Sequence, residues 1–309
     1  MTSNGSITQV GTEMQSYYGK PIVKEPVWKA EIPFYLFTGG VAGGASVLHG
    51  LARLTGNHRL ARSSLYIGAV ADAVSPVLLV SDLGRPERFL NMLRVFKVTS
   101  PMSVGSWILF VSSGASTTAA TLELLGALRP AKWLAEAVSF VTGPPLATYT
   151  GALLANTAIP VWSEARDELP WLFGASAAAS AGATAAMVTP AAAAGPARRA
   201  AVAGVAAELG LVRLMRRRLG FVGEVYELGE AGRYARVSKV CAAAGAGLLA
   251  LRGRRSRPAA VVGGALVLAG EVALRWSVFK AGFQSARDPR YTVLPQRKRL
   301  EERATGRGR

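Results

Sequence analysis

Eight residues that could exchange protons or form hydrogen bonds lie close to the ends of long apolar segments. They are Glu31, Tyr35, Asp82, Arg85, Ser103, Trp107, Tyr149 and Asn156. If the apolar segments are helices that alternate in direction, all eight fall near one face of the bundle. An apolar slot at that level could bind a ring with carbonyl groups. Glu31 would exchange protons, and Tyr35 and Tyr149 would form hydrogen bonds with the carbonyl oxygens. Trp107 would form one side of the slot.

Each of these residues also has a structural interpretation. Glu31 could simply bound its helix, and Asp82 and Arg85 could pair with each other or cap a helix end. The aromatic residues Tyr35, Trp107 and Trp162 could be ordinary interfacial side chains. The structural interpretation is favoured for Asp82 with Arg85 and for the two tryptophans.

Further ionisable residues lie deeper or towards the opposite face. Asp72 precedes Asp82 by ten residues, which places it roughly 15 Å deeper along a helix. A carboxylate at that depth is costly and usually functional. Glu123, Glu136 and His49 could continue a proton path from Asp72 to the opposite face. The favoured alternative for Glu123 and Glu136 is that they extend to the basic residues of the short loop they flank.

The elements that must position these residues are apolar runs of about twenty residues, the length of a membrane-spanning helix. Eight runs are predicted, at residues 33–54, 60–80, 104–125, 133–159, 169–188, 197–215, 237–251 and 259–281. The sequence therefore predicts an all-α polytopic membrane protein with about eight transmembrane helices in two four-helix bundles. The expected organisation is a polar N-terminal segment (1–32), a first bundle with the site (33–159), a second bundle (160–283) and a basic C-terminal tail (284–309).

Small residues and prolines indicate how the helices pack. The pairs Gly39/Gly43 and Gly40/Gly44 in the first run should let helix backbones approach closely. Pro76, and Pro144 with Pro145, should bend or break their helices, either as packing kinks or around a ligand cavity. In the eighth run, Glu271 and Arg275 are four residues apart, and a structural ion pair is favoured for them.

The net charge of +17 comes from basic residues in the loops and tails. This distribution is typical of a membrane protein in contact with a lipid bilayer, and it makes nucleic-acid binding an unfavoured alternative. Short basic loops follow the odd-numbered runs, which favours a cytoplasmic location for them and an outer location for both termini. The single cysteine, Cys241, and the two histidines, His49 and His58, make a haem or metal centre in this chain unexpected.

Four groups of residues together resemble the NrfD and polysulfide-reductase membrane-subunit family. They are Tyr18–Pro21 with Val27–Tyr35; Ser81–Leu90 with Phe96–Trp107; Tyr149–Leu154 with Pro160–Trp162; and Arg275–Trp276, Ala281–Gly282, Ser285–Arg290 and Gln296–Arg297. The stretch from Asp82 to Trp107 is the most specific of these.

The resemblance implies a cofactor-free subunit of the bacterial plasma membrane that exchanges electrons with a quinone or quinol, either menaquinone or ubiquinone. Its implied partners are a four-cluster iron–sulfur subunit and, beyond it, a molybdenum or tungsten pterin catalytic subunit. The quinone site would lie in the first bundle, near the face that carries the iron–sulfur partner. Two alternatives stay open: an ion or small-solute transporter, which would also use broken helices and buried carboxylates, and a purely structural membrane anchor.

Overall fold

The computed structural model describes residues 21–83 and 85–304, and every regular element in this part of the chain is helical. The helices are α1 (Glu31–Leu54), α2 (His58–Asp82), α3 (Phe89–Arg94), α4 (Pro101–Leu125), α5 (Arg129–Ala155), α6 (Pro160–Glu164), α7 (Leu169–Val188), α8 (Gly195–Leu219), α9 (Gly229–Leu251), α10 (Arg257–Arg287) and α11 (Arg290–Ala304). Short 3₁₀ segments occupy Pro86–Arg88 and Gly220–Tyr226. The all-α prediction is confirmed.

Polar caps and glycines set several helix boundaries. The Asn57 side chain accepts a hydrogen bond from the Leu60 amide at the start of α2. Ser100 and Ser256 cap α4 and α10 in the same way, each followed by a proline in the first turn. Gly126 ends α4 in a left-handed conformation with φ of 64°.

Five long helices have the length and apolar composition needed to cross a membrane: α2, α4, α7, α9 and α10. The other three long helices, α1, α5 and α8, also have the length to span a membrane but are not among these five. Many exposed side chains on the long helices are apolar, among them Val70, Val77, Phe110, Val141 and Val240. An apolar exterior of this kind fits a lipid environment, and the chain is a polytopic integral membrane protein.

Two boundaries differ from the sequence prediction by more than four residues. Helix α9 begins at Gly229 rather than near residue 237, because its first turns carry Arg233, Arg236 and Lys239 and so lack an apolar pattern. Helix α10 continues to Arg287. Helices α2 and α5 run without interruption through Pro76 and through Pro144 and Pro145, so the prolines do not break them.

The long helices pack as two rings of four. Helices α1, α2, α4 and α5 contact one another in sequence and close through α5 against α1; helices α7, α8, α9 and α10 close through α10 against α7. The rings join where α1 packs on α7 and α10 and where α5 packs on α7. The exact boundaries at 159 and 283 stay predictions. Residues 1–20, Gly84 and residues 305–309 lie outside the described residues, so parts of the first two resemblance segments and of both predicted tails do too.

Glycines of α1 make this junction possible. A Cβ atom on Gly43 would lie 2.6 Å from the amide nitrogen of Ala147 on α5. A Cβ atom on Gly44 would overlap the carbonyl oxygen of Ala177 on α7. The expected close approach therefore occurs on two sides of α1, whereas Gly39 faces open space.

Candidate functional site

We call the membrane face that carries the α2–α4, α5–α7 and α8–α9 connections the even-loop face, and the opposite one the odd-loop face. Tyr35 and Tyr149 lie near the even-loop face of the first ring, 3% and 9% exposed, within one apolar cluster that includes Leu36, Leu109 and Leu146. The Tyr149 hydroxyl has no hydrogen-bond partner among the described residues. A buried, unpaired hydroxyl in apolar surroundings is available to bind a ligand oxygen.

Glycine in α4 creates the place that Tyr149 occupies. A Cβ atom on Gly105 would overlap the ring of Tyr149, so the tyrosine lies directly against the α4 backbone. The ring is therefore held between α4 and α5 and can make few rotamer changes. This restriction fixes the position of the hydroxyl that the sequence assigns to a ligand carbonyl.

Asp72 is completely buried near the middle of α2 and faces α4. Its carboxylate accepts hydrogen bonds from the hydroxyl groups of Ser116 (2.6 Å), Ser113 (3.3 Å) and Ser112 (3.5 Å). Ser113 also lies 3.1 Å from the Asp72 carbonyl oxygen. Asp72 thus lies near the middle of its helix, surrounded by hydroxyl groups that can donate or pass on a proton.

Polar groups continue from the level of Asp72 towards the two tyrosines. Ser75, one turn along α2, has its hydroxyl 2.8 Å from that of Thr38 on α1. The Thr38 hydroxyl lies 3.3 Å from the carbonyl oxygen of Tyr35. These hydroxyls form a discontinuous polar line between the apolar tyrosine region and the buried carboxylate.

A cluster of charged residues lies on the other side of Asp72, at the odd-loop face. Lys132 binds Glu123 at 2.5 Å and lies 3.7 Å from Glu136. Glu136 also contacts Arg53 at 3.3 Å and Nε2 of His49 at 3.5 Å, the latter longer than a usual hydrogen bond. The glutamates therefore pair with basic residues, which is the interpretation favoured from the sequence.

The same cluster borders open space. It lines a cavity of about 350 Å³ together with Arg59, Arg62 and His58. Nδ1 of His49 lies 2.8 Å from the carbonyl oxygen of Ala61, which fixes the orientation of the ring. Between this cluster and Asp72 lie the buried Ser64 and the pair Ser46–Ser139, whose hydroxyls are 2.9 Å apart.

Several predicted site residues instead lie at the surface of the even-loop face. Asp82 accepts a hydrogen bond from the Lys29 amide at 2.9 Å, so it holds the N-terminal segment against α2 and does not pair with Arg85. Arg85 and Asn156 are exposed, and Asn156 caps the end of α5. Glu31 is half-buried as the first residue of α1.

Ser103 and Trp107 also have local structural contacts. The Ser103 hydroxyl lies 2.8 Å from the Val95 carbonyl and accepts a hydrogen bond from the Lys97 amide, so it fixes the loop before α4. Trp107 packs edge-on against Phe96 and Phe110, which are both exposed. Trp107 is half-buried, and its indole nitrogen is buried without a hydrogen-bond partner among the described residues.

Trp162 differs from its sequence interpretation. It is fully buried, donates from its indole nitrogen to the Val278 carbonyl at 2.8 Å, and stacks on Trp28 with ring centroids 5.6 Å apart. A Cβ atom on Gly282 would overlap its ring. The expectation of an interfacial tryptophan is wrong, because the side chain joins α6 to α10 in the interior.

The ring α7–α10 contains a second buried group, in which Glu208 joins Glu271 and Arg275; the sequence analysis predicted only the Glu271–Arg275 pair. Glu208 and Glu271 are 1% and 0% exposed, and their carboxyl groups face each other. The guanidinium of Arg275 lies over the ring of Phe173 at 3.7 Å instead of forming the expected direct pair with Glu271. The sequence does show one carboxylate in the middle of each of these two helices. It does not show that α8 and α10 lie close together in the fold.

Comparison with known proteins identifies the family. Residues 21–222 match the family described as Polysulphide reductase, NrfD, and the match includes α1 to α8. The search of curated proteins gave no match. Subunits of this family are membrane components of quinone-linked oxidoreductases and generally associate with iron–sulfur and molybdopterin subunits. Since the match covers well over half of the chain and its helices are those of a membrane protein, the chain belongs to the NrfD family.

Proposed function

We propose that this chain exchanges electrons between the membrane quinone pool, menaquinone or ubiquinone, and an iron–sulfur partner subunit. In the quinol-oxidising direction, the quinol would lose two electrons to the partner and two protons to groups of this chain. The reverse direction would use the same groups to supply protons. The observation that carries the proposal is the unpaired, buried Tyr149 hydroxyl on the same side of the first ring as Tyr35, with the buried Asp72 further in.

The quinone ring would lie in the apolar region around Tyr35 and Tyr149, near the even-loop face. The Tyr149 hydroxyl would donate a hydrogen bond to one carbonyl oxygen, since the protein offers it no acceptor among the described residues. The half-buried Glu31, one turn before Tyr35, would exchange protons with the surface. Trp107, with Phe96 and Phe110, would border the lipid side through which an apolar quinone tail passes.

The proton route would lead inwards from this region. Ser75 and Thr38 lie between the tyrosines and Asp72, and Ser112, Ser113 and Ser116 surround the carboxylate. Ser64, Ser46 and Ser139 occupy the levels between Asp72 and the Glu136–His49 cluster. Water between these hydroxyls would complete a route, because the groups alone do not form an unbroken chain of hydrogen bonds.

The iron–sulfur partner, with four clusters, would dock on the even-loop face, with a molybdenum or tungsten pterin subunit beyond it. This face is the nearer one to Tyr35 and Tyr149, and electron transfer to a quinone requires a short distance. Asp82, Arg85 and Asn156 lie at this face and would contribute to docking, or to the order of the loops there, instead of contacting the ring. The short basic loops on the other face favour a cytoplasmic location for it, in the bacterial plasma membrane, with both termini outside.

The structure gives less support to the transporter alternative. One reason for considering a transporter was a helix broken by Pro144 and Pro145, and α5 is continuous there. A purely structural anchor would leave the buried Asp72 and its three serine partners without a role. Redox function with quinone therefore accounts for more of the buried polar groups of the first ring.

The test compares two buried tyrosines that share one property. Tyr149 and Tyr226 both have a hydroxyl without a partner among the described residues, but Tyr226 lies beside the second ring. A fluorescent or fluorescence-quenching quinone analogue is titrated into the purified chain and into the Tyr149→Phe and Tyr226→Phe variants. Loss of one hydrogen bond should weaken binding roughly 2- to 10-fold in Tyr149→Phe only. Unchanged affinity in Tyr149→Phe, or equal loss in both variants, would contradict the proposed site.

A further inference from the structure

A half-open cavity of about 830 Å³ lies in the second ring, and its lining extends to the α8–α9 connection at the even-loop face. All four helices line it: α7 through Leu172, α8 from Glu208 to Arg217, α9 through Ser238, and α10 through Ser277. Arg213, Arg216, Arg217, Glu224, Glu227 and Lys239 surround its outer part. Glu208 lies about 11 residues before the end of α8 at Leu219, hence roughly 16 Å below the face. The cavity thus reaches from the surface to the buried residue Glu208.

Glu208 belongs to a cluster of three ionisable side chains. The Glu208 and Glu271 carboxyl groups face each other, and Arg275 is close enough to interact with the charge of both. Ser176 on α7 donates a hydrogen bond to Oε2 of Glu271, and Ser238 on α9 faces Glu208. Gly40 of α1 lies against Arg275.

Polar atoms in this cluster lack protein partners. Oε2 of Glu208, Oε1 of Glu271, and Nε and Nη1 of Arg275 have no hydrogen-bond partner in the described part of the chain, although all three residues are at most 1% exposed. Buried polar atoms are rarely left unpaired. A shared proton between the two carboxyl groups, and water next to Arg275, would satisfy them.

Close backbone packing separates the cluster from the odd-loop face. On that side, a Cβ atom on Gly245 of α9 would lie 2.5 Å from the Gly263 carbonyl of α10, and one on Gly204 of α8 would lie 2.5 Å from the Ala179 amide of α7. Gly182 on α7 likewise packs directly on the α8 backbone at Ala201. These contacts leave little room for water on that side of the cluster, whereas the cavity lined by Glu208 lies towards the even-loop side.

We infer that the second ring contains a proton-binding site, formed by Glu208 and Glu271, that exchanges protons with the even-loop face through this cavity. The charge balance among Glu208, Glu271 and Arg275 determines how many protons the pair of carboxyl groups holds. One guanidinium compensates one carboxylate, and a second uncompensated carboxylate inside a membrane protein is unfavourable, so the pair holds one proton. A hydronium ion in the cavity would give its proton to the pair and remain as water, and release is the reverse. The inference does not depend on quinone binding in the first ring.

Infrared spectroscopy of the full purified chain counts the bound protons, because the C=O band of a protonated carboxyl group is separate from the carboxylate bands. Near neutral pH, Glu208→Gln and Glu271→Gln should each lose one protonated carboxyl group, since Arg275 compensates the carboxylate that remains. Arg275→Gln should instead gain one, because neither carboxylate is then compensated. Asp72→Asn measures the contribution of the first ring to the same band. Folded variants in which neither glutamate substitution reduces the band would overturn the inference.

Access to the site is measured with cysteine variants in a Cys241→Ser background. The chain is reconstituted in sealed vesicles, and a small charged thiol reagent is added to one side at a time. Leu228→Cys, exposed in the α8–α9 connection, reports which side is the even-loop face. Ser238→Cys should react from that side only, and Ala246→Cys, two turns further along α9, from neither. Reaction of Ser238→Cys from the opposite side, or no reaction from either side, contradicts one-sided access.

Discussion

Gly40 of α1 lies directly against the guanidinium of Arg275 on α10: a Cβ atom on Gly40 would be 3.1 Å from Nη2 of the arginine. Arg275 therefore extends out of its own ring and reaches the first helix of the other. A side chain at position 40 would crowd this contact. A single glycine thus places the cation that compensates the Glu208–Glu271 pair at the boundary between the two rings.

The glycines of α1 predict a graded series of stability. The Cβ atom of an alanine at position 39 would have no neighbour within 4 Å. At position 40 it would contact the movable end of the Arg275 side chain, and at position 44 it would overlap the backbone of Ala177. Thermal unfolding of the purified chain should show little change for Gly39→Ala and an intermediate loss for Gly40→Ala. Gly44→Ala should lose about 1–3 kcal/mol. Equal effects at all three positions would show that helix propensity, not packing, decides the outcome.

Asp72→Asn should slow quinone-linked turnover of the intact complex by about tenfold or more, because asparagine cannot carry a proton. Affinity for a quinone analogue should change little, since Asp72 lies well below Tyr35. The serine hydroxyls can still bond the amide oxygen, so thermal stability should be retained. Activity with an artificial acceptor that bypasses this subunit is the control. A destabilised variant with normal turnover would indicate a structural role instead.

Lys132 predicts a stability effect at the odd-loop face. It is largely buried between Glu123 and Glu136. Its loss leaves Glu123 with Arg62, and Glu136 with Arg53 and His49. Lys132→Met should lower the free energy of unfolding by about 1–3 kcal/mol. The matched control is Arg166→Met, whose pair with Asp167 is exposed and should contribute nothing measurable.

Glu25 predicts pH-dependent attachment of the N-terminal segment. Arg287 donates two hydrogen bonds to it, at 2.9 and 3.0 Å, and holds the pKa of this exposed carboxyl group below its ordinary value of 4.5. Because the folded-state pKa is the lower one, the stabilisation is complete above 4.5. It declines as the pH falls below 4.5 and through the lowered value.

Hydrogen exchange of residues 21–30, corrected for the intrinsic pH dependence, measures this attachment. Wild type should lose protection in that window, and Glu25→Gln should show weak protection at all pH values. The comparison is needed because the nearby Asp288 is a second carboxyl group, and its hydrogen bonds from Arg290 hold its pKa below the ordinary value of 3.8. Identical pH profiles for both proteins would exclude Glu25 as the responsible group.

Sequence reasoning located features that depend on one helix at a time. The apolar runs correspond to the long helices, and helical rise placed Asp72 at mid-depth, where it is completely buried. The small-residue pairs of α1 identified its packing faces at Gly43 and Gly44.

Features that depend on two distant helices could not be predicted in this way. Glu208 and Glu271 meet because α8 and α10 belong to one ring, and no periodicity within either helix reports that. The four-residue spacing of Glu271 and Arg275 suggested a pair, but the tertiary contact with Phe173 and Gly40 directs the arginine elsewhere. Likewise Asp82 binds the Lys29 backbone, a contact across 53 positions of sequence.

The position of α1 between α5 and α7 has a consequence for biosynthesis. Gly44 meets Ala177, a residue made 133 positions later, which at roughly 5–20 residues per second is a delay on the order of ten seconds. During that interval α1 is already inserted, with the glycine face that receives α7 turned to lipid or to the insertion machinery. The first four long helices can assemble early. The contacts between the two rings form only after α7 and α10 have left the ribosome, and we call this junction the seam. Mutations at this seam should therefore affect yield in the membrane before they affect the finished protein.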